Sequence, residues 1–175
     1  MMTTRRFFGP VAAFGLLVGG SFIVTSLLFL AAGRGVVLDQ RLGNVLSCLL
    51  VIGSFFGVKK LRDDRAGGII SYGKAFAAGF KIILVATALY AGYTFILYSA
   101  RPGLVEEYRA VITATLAQVY GDTPLRALVE EVFADSLSPA FIAVEELIGK
   151  LLTGTFFTLV VAAILRRTVA PTPNV

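Results

Sequence analysis

The residues best suited to chemistry are three charged side chains, Glu145, Glu146 and Lys150, at the edge of a long apolar run. Glu146 and Lys150 are four residues apart, in the order that favours an ion pair on one face of a helix. Adjacent carboxylates at such a position could also carry protons or bind a cation. The alternative is a helix that enters the hydrocarbon only at Leu147. Because charges inside a membrane are costly and usually functional, we take these three as candidate intramembrane ionisable groups.

Lys81 is a fourth candidate and the only charge in another apolar run. If a helix begins near Ala75, Lys81 lies about 9 Å from that start, and a lysine side chain can reach the headgroups from there. We expect Lys81 to extend to those headgroups. It lies toward the opposite membrane face from Glu145 and Glu146, so a direct ion pair with either is not expected.

Catalysis is not indicated. The chain has no His, the usual group for proton transfer near neutral pH. No base is placed by the sequence to activate the hydroxyls and thiol of the apolar runs, and we expect hydroxyls there to bond back to their own helix. These groups are Ser47, Cys48, Ser54, Thr87 and Tyr90. We therefore predict no enzyme, no catalytic residue, no metal site and no cofactor.

The elements that must position these side chains are membrane spans. Charged residues make up 15% of the chain, against about 25% in soluble domains. Four apolar runs approach the roughly 20 residues needed to cross a bilayer. They are residues 11–32, 42–58, 75–98 and 147–165. The sequence predicts an all-α bundle of four transmembrane helices, with residues 1–175 forming a single integral membrane domain.

The distribution of Lys and Arg predicts the orientation, because cytoplasmic segments are enriched in both. With both termini inside, the cytoplasmic basic residues are Arg5, Arg6, Lys59, Lys60, Arg62, Arg65, Lys74, Arg166 and Arg167. The outer ones are fewer: Arg34, Arg41, Arg101, Arg109 and Arg126. This bias predicts an N-in/C-in bundle and accounts for the net charge of +5 without a nucleic-acid partner.

Residues 101–138 separate the third and fourth spans and carry three helix-start signals. Arg101-Pro102-Gly103 interrupts the third span, and a cap residue precedes proline at Thr123-Pro124 and Ser138-Pro139. Apolar residues recur at helical spacing at Leu104, Tyr108, Val111, Ile112 and Val119, and again at Leu125, Leu128, Val129, Val132 and Phe133. We predict an extracytoplasmic amphipathic helical hairpin on the membrane surface or over the bundle, with stripes that pack on the bundle rather than on a partner.

The turn between the second and third spans carries a recognisable segment. Residues 67–76 read Gly-Gly-Ile-Ile-Ser-Tyr-Gly-Lys-Ala-Phe, after the charged end of the second span. This segment resembles the signature of an uncharacterised bacterial family, domain of unknown function 4199, and the resemblance extends over essentially the whole chain. It implies the four-span topology and a membrane location, which we take to be the cytoplasmic (inner) membrane of a bacterium. The family has no assigned activity, so no functional residue follows from it.

The same turn is a candidate anion site. Gly67-Gly68 permits a tight reversal, Ser71 can cap the third helix, and Gly73 allows close packing at its start. Free amides at that helix start, beside Tyr72 and Lys74, favour a lipid phosphate. The alternative is a structural turn with a tyrosine and a lysine anchored at the interface.

Pairs of small residues four apart predict close helix packing, within the chain or between copies. These pairs are Gly15 and Gly19, Gly53 and Gly57, Ala75 and Gly79, and Ala88 and Gly92. We expect a non-enzymatic accessory or envelope component that binds membrane lipid, a membrane-protein partner or a second copy. The alternative is a small oligomeric transporter or ion-conducting protein, which usually needs polar groups near the midplane.

Overall fold

The computed structural model describes the backbone of residues 5–33, 39–121 and 123–167, and their side chains except those of residues 5–8, 65, 125–127, 130, 134 and 135. Within these ranges it is all-α, with six helices and no strand. The helices are α1 (Arg5–Ala31), α2 (Gln40–Arg65), α3 (Tyr72–Ala100), α4 (Pro102–Tyr120), α5 (Pro124–Ser136) and α6 (Pro139–Leu165). Arg34 and the side chains of Arg5, Arg6, Arg65, Leu125 and Arg126, on which sequence predictions rest, lie outside the described residues.

Four of these helices are long and apolar enough to span a membrane, which confirms the predicted number of spans. The candidate spans are Gly9–Ala31, Gln40–Asp64, Tyr72–Ala100 and Pro139–Leu165. Many of their large apolar side chains face outward; Leu17 and Leu152, for example, are each 68% exposed. Such surfaces suit lipid contact, because water would make their exposure unfavourable.

The helix of the fourth span begins at Pro139, as the Ser138-Pro139 signal predicts, and so starts well before the predicted apolar span of residues 147–165. Ser138 caps this helix by accepting a hydrogen bond from the Phe141 backbone N–H at 3.2 Å. Proline at the first helical position reinforces the same start. Glu145 and Glu146 lower the local hydropathy but do not interrupt the helix, so an apolarity criterion places its start too late.

Helix α3 is central, because it packs against α1, α2, α4 and α6. Small residues permit these close approaches. A Cβ atom on Gly15 of α1 would lie 2.6 Å from the Cβ of Val85 and 2.9 Å from the carbonyl oxygen of Ile82. Gly19 meets α3 in the same way, and Gly79 of α3 faces Thr158 of α6. The structure therefore uses the predicted small residues for packing within the chain.

Two of the predicted small-residue positions make no close approach within the chain. Gly92 has open space where its side chain would be, and Ala88 is exposed, so this pair does not pack against another helix of the chain, and packing between copies stays a prediction. Gly73 also faces open space and does not pack at the start of α3. A small-residue pair permits close packing, but it produces a contact only where a neighbouring helix faces it.

Helices α4 and α5 fill the segment between the third and fourth spans, and their starts agree with the predicted signals. The base of α4 is packed: Tyr98, Tyr108, Leu137 and Ile142 form a buried cluster. Further along, the apolar stripes are uncovered, since Val119 is 68% exposed and Leu128 and Val132 are each 58% exposed. The expected packing of the stripes on the bundle thus holds for the base of α4 but not for these three residues. The outer position of this segment and the N-in/C-in orientation stay predictions.

Candidate functional site

Glu145, Glu146 and Lys150 lie inside α6, well past its first turn. Glu146 is seven residues and Lys150 eleven residues beyond Pro139, so they lie about 10 Å and 16 Å along the helix. Because α6 has 27 residues, Lys150 lies close to the middle of the span. The candidate span includes all three charged residues, whereas the sequence placed them at its edge.

Glu146 and Lys150 form an ion pair in which the Lys150 ammonium donates to Glu146 Oε2. The pair is largely sheltered, with side-chain exposures of 25% for Glu146 and 18% for Lys150. The Lys150 Nζ also lies 4.8 Å from the centre of the Tyr90 ring on α3. This distance permits a cation–π attraction, which gains strength when the cation is desolvated.

Glu145 connects α6 to α4. The Tyr108 hydroxyl donates to Glu145 Oε2 at 3.3 Å. Burial, and then the adjacent Glu145 carboxylate, raise the pKa of Tyr108, so its phenol remains a hydrogen-bond donor at physiological pH. A polar contact therefore joins the base of α4 to the charged cluster.

The charged cluster lines a cleft of about 420 Å³ between α2 and α6, which we call the α2–α6 cleft. Its lining residues are Phe22, Asp39, Gln40, Leu42, Gly43, Asn44, Leu46, Ser47, Leu50, Tyr90, Glu145, Glu146, Gly149, Lys150 and Thr153. Phe22 of α1 and Tyr90 of α3 are buried and form its back wall. The volume lies in the range typical of small-molecule sites.

The two sides of the α2–α6 cleft differ in polarity. Leu42, Leu46 and Leu50 are buried and recur every four residues, so they form one apolar stripe along α2. The rims are exposed at Gln40 and Asn44 of α2 and at Glu145, Gly149 and Thr153 of α6. The cleft therefore combines an apolar stripe with charged groups, and its rims are exposed on the side of the bundle.

The α2–α6 cleft lies toward one end of the bundle, the end at which α3 ends and α4 begins. Beyond its deepest residues, Leu50 and Thr153, the helices pack closely. A Cβ atom on Gly154 would lie 2.6 Å from Ile83 Cγ2, and one on Gly79 would lie 2.6 Å from Thr158 Cγ2. The cleft thus extends from one end to about the middle of the bundle.

Lys81 is exposed on α3 and lies far from this cluster. The contacts of Ile83 with Gly154 and of Gly79 with Thr158 place Lys81 level with about residue 156 of α6. Ten residues separate that level from Glu146, or about 15 Å along the helix. This separation agrees with the expectation that Lys81 makes no direct pair with the two glutamates.

The predicted anion site lies at the opposite end of the bundle. Ser71, Tyr72 and Lys74 are all exposed at the start of α3, and Ser71 holds the cap position without a side-chain cap bond. Gly67 and Gly68 adopt positive φ angles of 60° and 80°, as a tight reversal requires. The structure gives this segment the expected turn, and whether it binds an anion stays a prediction.

Three of the predicted hydroxyls bond to their own helices, whereas the Tyr93 hydroxyl of α3 donates to Ser26 Oγ of α1 at 3.4 Å. Ser47 Oγ donates to the Gly43 carbonyl at 2.9 Å, and Thr87 Oγ1 donates to Ile83 at 2.9 Å. Ser54 Oγ likewise donates to Val51 at 3.0 Å. Among the described residues, no group of three or more His, Cys, Asp or Glu side chains is placed to hold a metal ion.

Comparison with known proteins identifies one family. The sequence profile of the family described as Protein of unknown function (DUF4199) matches residues 13–167. The chain belongs to this family. No curated protein and no solved structure matches it. With its four candidate spans, this member of the family is a multi-pass membrane protein.

The sequence identified the charged residues but missed the cleft around them. Its lining comes from α1, α2, α3 and α6, which lie far apart in the sequence. One signal was available: Asn44 and Ser47 interrupt the apolar run of α2, beside the Leu42, Leu46 and Leu50 stripe. The facing partner of that polar strip on α6 could not be read from the sequence.

Proposed function

We propose that this protein is a non-enzymatic membrane component that binds an amphipathic molecule, a membrane lipid, in the α2–α6 cleft. The polar head lies against Glu145, Glu146 and Lys150, and the apolar part follows the leucine stripe of α2. We predict that the chain lies in the cytoplasmic membrane with both termini inside. In that orientation the cleft binds lipid of the outer leaflet.

The observation that carries this proposal is an ion pair close to the middle of a span, beside a cavity of about 420 Å³. Taking charges out of water is expensive, and a buried ion pair often contributes little net stability. Charges kept at such a depth therefore indicate a binding role, particularly where they border free space. An apolar wall next to these charges suits a lipid, which has a polar head and apolar acyl chains.

The rims of the cleft supply the route of entry. Glu145, Gly149 and Thr153 are exposed along one edge of α6, so a lipid could enter sideways between α2 and α6. Binding also fits the side chains better than catalysis does. The Ser47 hydroxyl donates back to the Gly43 carbonyl, so it is not directed toward a base that could activate it.

Filling the cleft tests the proposal. Gly149 lines the cleft and has open space at its Cβ position, so a Gly149→Phe variant introduces a ring without displacing the backbone. Gly92→Phe is the matched control, because Gly92 is also an exposed span glycine with open space but lies outside the cleft lining. We expect lipid that co-purifies with the wild-type protein in detergent-free lipid patches to be lost from Gly149→Phe and retained by Gly92→Phe.

Mass spectrometry of the same patches would also detect a stoichiometric membrane-protein partner or a second copy, the other partners that the sequence suggests. Equal lipid content in both variants and the wild type would refute lipid binding in the α2–α6 cleft. A partner found under those conditions would support an accessory-subunit role instead.

Transport is the second candidate function. The cleft opens toward one end of the bundle, and close contacts such as that between Gly154 and Ile83 follow below it, as in a transporter open to one side. Flux in proteoliposomes that disappears in Glu145→Gln or Glu146→Gln would favour transport. Binding without flux would limit the protein to the binding role.

A further inference from the structure

We propose that the head bound in the α2–α6 cleft is zwitterionic, with its ammonium beside Glu145 and Glu146 and its phosphate beside Lys150. The ligand chemistry is that of a zwitterionic phospholipid head. This inference rests on the proposed function of the cleft and adds the charge pattern of the ligand.

The ion pair supplies the first argument. Glu146 and Lys150 already neutralise each other, so an anion that pairs with Lys150 leaves Glu146 unpaired, and a cation that pairs with Glu146 leaves Lys150 unpaired. A cation that pairs only with Glu145 keeps the ion pair but makes no contact with Lys150. An unpaired charge in a sheltered site is strongly unfavourable. A zwitterion exchanges one ion pair for two complementary ones and leaves the net charge of the site unchanged.

Glu145 supplies the second argument. It lines the cleft next to Glu146 and accepts a hydrogen bond from the neutral Tyr108 hydroxyl. That bond leaves other acceptor positions on the carboxylate, so Glu145 can accept a hydrogen bond from an ammonium group as well. The Tyr90 ring, which now faces the Lys150 ammonium at 4.8 Å, forms part of the back wall beside both charges.

The order of the groups along α6 supplies the third argument. Glu145 and Glu146 lie nearer the end where α4 begins, and Lys150 lies one helical turn deeper, by about 6 Å. Below them the cleft is lined by Leu50, which lies beside Gly154. From that end inward, the site therefore offers anionic groups, then a cation, then an apolar wall. A zwitterionic phospholipid presents its ammonium, phosphate and acyl chains in the same order from the membrane surface inward.

The polar side of α2 completes the site for the phosphate. Asn44 lines the cleft opposite α6, and Thr153 lies beyond Lys150 on α6 itself. The Asn44 amide and the Thr153 hydroxyl can donate to phosphate oxygens beside the Lys150 ammonium, whereas the Ser47 hydroxyl already donates to the Gly43 carbonyl. The Gln40 amide donates to Asn44 Oδ1 at 2.9 Å, which leaves the Asn44 amide hydrogens available.

The test is competitive lipid binding to the full-length protein in detergent micelles, followed by native mass spectrometry. Phosphatidylethanolamine, phosphatidylglycerol and a cationic diacyl lipid are added at equal concentration. We expect phosphatidylethanolamine to be preferred by about tenfold or more, the factor that one additional charge-assisted contact provides. The preference should disappear in the neutral double variant Glu146→Gln/Lys150→Met and fall in Glu145→Gln, which leaves the ion pair in place.

Glu106→Gln is the matched control, because Glu106 is an exposed carboxylate of α4 outside the cleft lining, and it should keep the preference. Soluble phosphoethanolamine identifies the source of the head. If it displaces the lipid at equal concentration, the zwitterion is recognised as a free molecule; if it does not, the acyl chains contribute and the source is a lipid.

Two results separate the failure of this inference from the failure of the proposed function. Preference for phosphatidylglycerol that depends on Lys150 and is unaffected by Glu145→Gln would overturn the zwitterion and leave lipid binding in the cleft intact. Binding of all three lipids that Gly149→Phe does not change would refute lipid binding in the cleft, and the zwitterion proposal with it.

Discussion

Replacing Lys150 with methionine removes the cation beside Glu146 and should destabilise the bundle more than replacing both residues together. In Lys150→Met, Glu146 keeps its charge in a site where only a quarter of its side chain is exposed. In the double variant Glu146→Gln/Lys150→Met, both charges are gone and the side-chain volumes are nearly preserved. The single variant therefore has an uncompensated charge that the double variant lacks.

The burial of the pair determines the size of the effect. Breaking a fully buried pair costs about 3–5 kcal/mol, whereas an exposed pair is worth about 0–1 kcal/mol. With exposures of 18% and 25%, the pair lies between these limits, and we expect about 1–3 kcal/mol for Lys150→Met. We expect the double variant to lose less than about 1 kcal/mol, because neutral replacements of buried pairs are often tolerated.

The assay is a double-mutant cycle on the free energy of unfolding, measured by titrating the protein in mixed micelles with a denaturing detergent. A coupling energy above about 1 kcal/mol would exceed the average of about 0.6 kcal/mol for hydrogen bonds between membrane helices. Additive effects of Glu146→Gln and Lys150→Met would show that the two side chains do not interact, and the argument for an ion pair at that depth would be wrong.

Three further predictions concern packing, lipid contact and orientation. Gly15→Ala should be less stable than Gly20→Ala by about 1–3 kcal/mol in the same unfolding assay, because a Cβ on Gly15 collides with α3. Lys74→Ala should reduce the anionic lipid that co-purifies with the protein, if the start of α3 binds a phosphate. Cysteines placed singly at Asp63 and Thr123 should be labelled from the cytoplasmic side and from the outside, respectively.

Each of these three predictions has a control variant and a result that would contradict it. Gly20 has open space at its Cβ position, so its alanine variant reports the helix propensity alone, and equal stability of the two variants would contradict the close α1–α3 contact. Lys59→Ala controls for general loss of charge, and unaltered lipid in Lys74→Ala would favour a purely structural turn. For the labelling, exposed Cys48 is first replaced with serine, and outside labelling at position 63 would reverse the orientation.

The four spans could be predicted because hydropathy over about 20 residues is a strong and local signal. The helix starts at Pro102, Pro124 and Pro139 were also readable, since proline and a preceding cap residue act within a few positions. Hydropathy alone limited the fourth span to residues 147–165, because Glu145 and Glu146 lower the local hydropathy of the helix. Hydropathy measures the side chains, whereas the backbone of α6 continues through Glu145 and Glu146.

Contacts between helices were less predictable, because they depend on which faces meet. Gly15 and Gly79 lie at helix contacts, while Gly92 in a similar pattern faces open space. The α2–α6 cleft depends on the same information, since its lining residues come together only when α1, α2, α3 and α6 pack. The chemistry of the site was therefore partly visible as Glu145, Glu146 and Lys150, but its shape was not.

The central claim, that the α2–α6 cleft holds a membrane lipid, is tested most directly by photocrosslinking in a bilayer. The wild-type protein is reconstituted with phosphatidylethanolamine that carries a photoreactive group near the head, and the crosslinked peptides are identified by mass spectrometry. We predict crosslinks concentrated on residues 40–50 and 145–153, the two walls of the cleft. Crosslinks spread evenly over the exposed faces of all four spans would contradict the claim and indicate ordinary solvation by lipid.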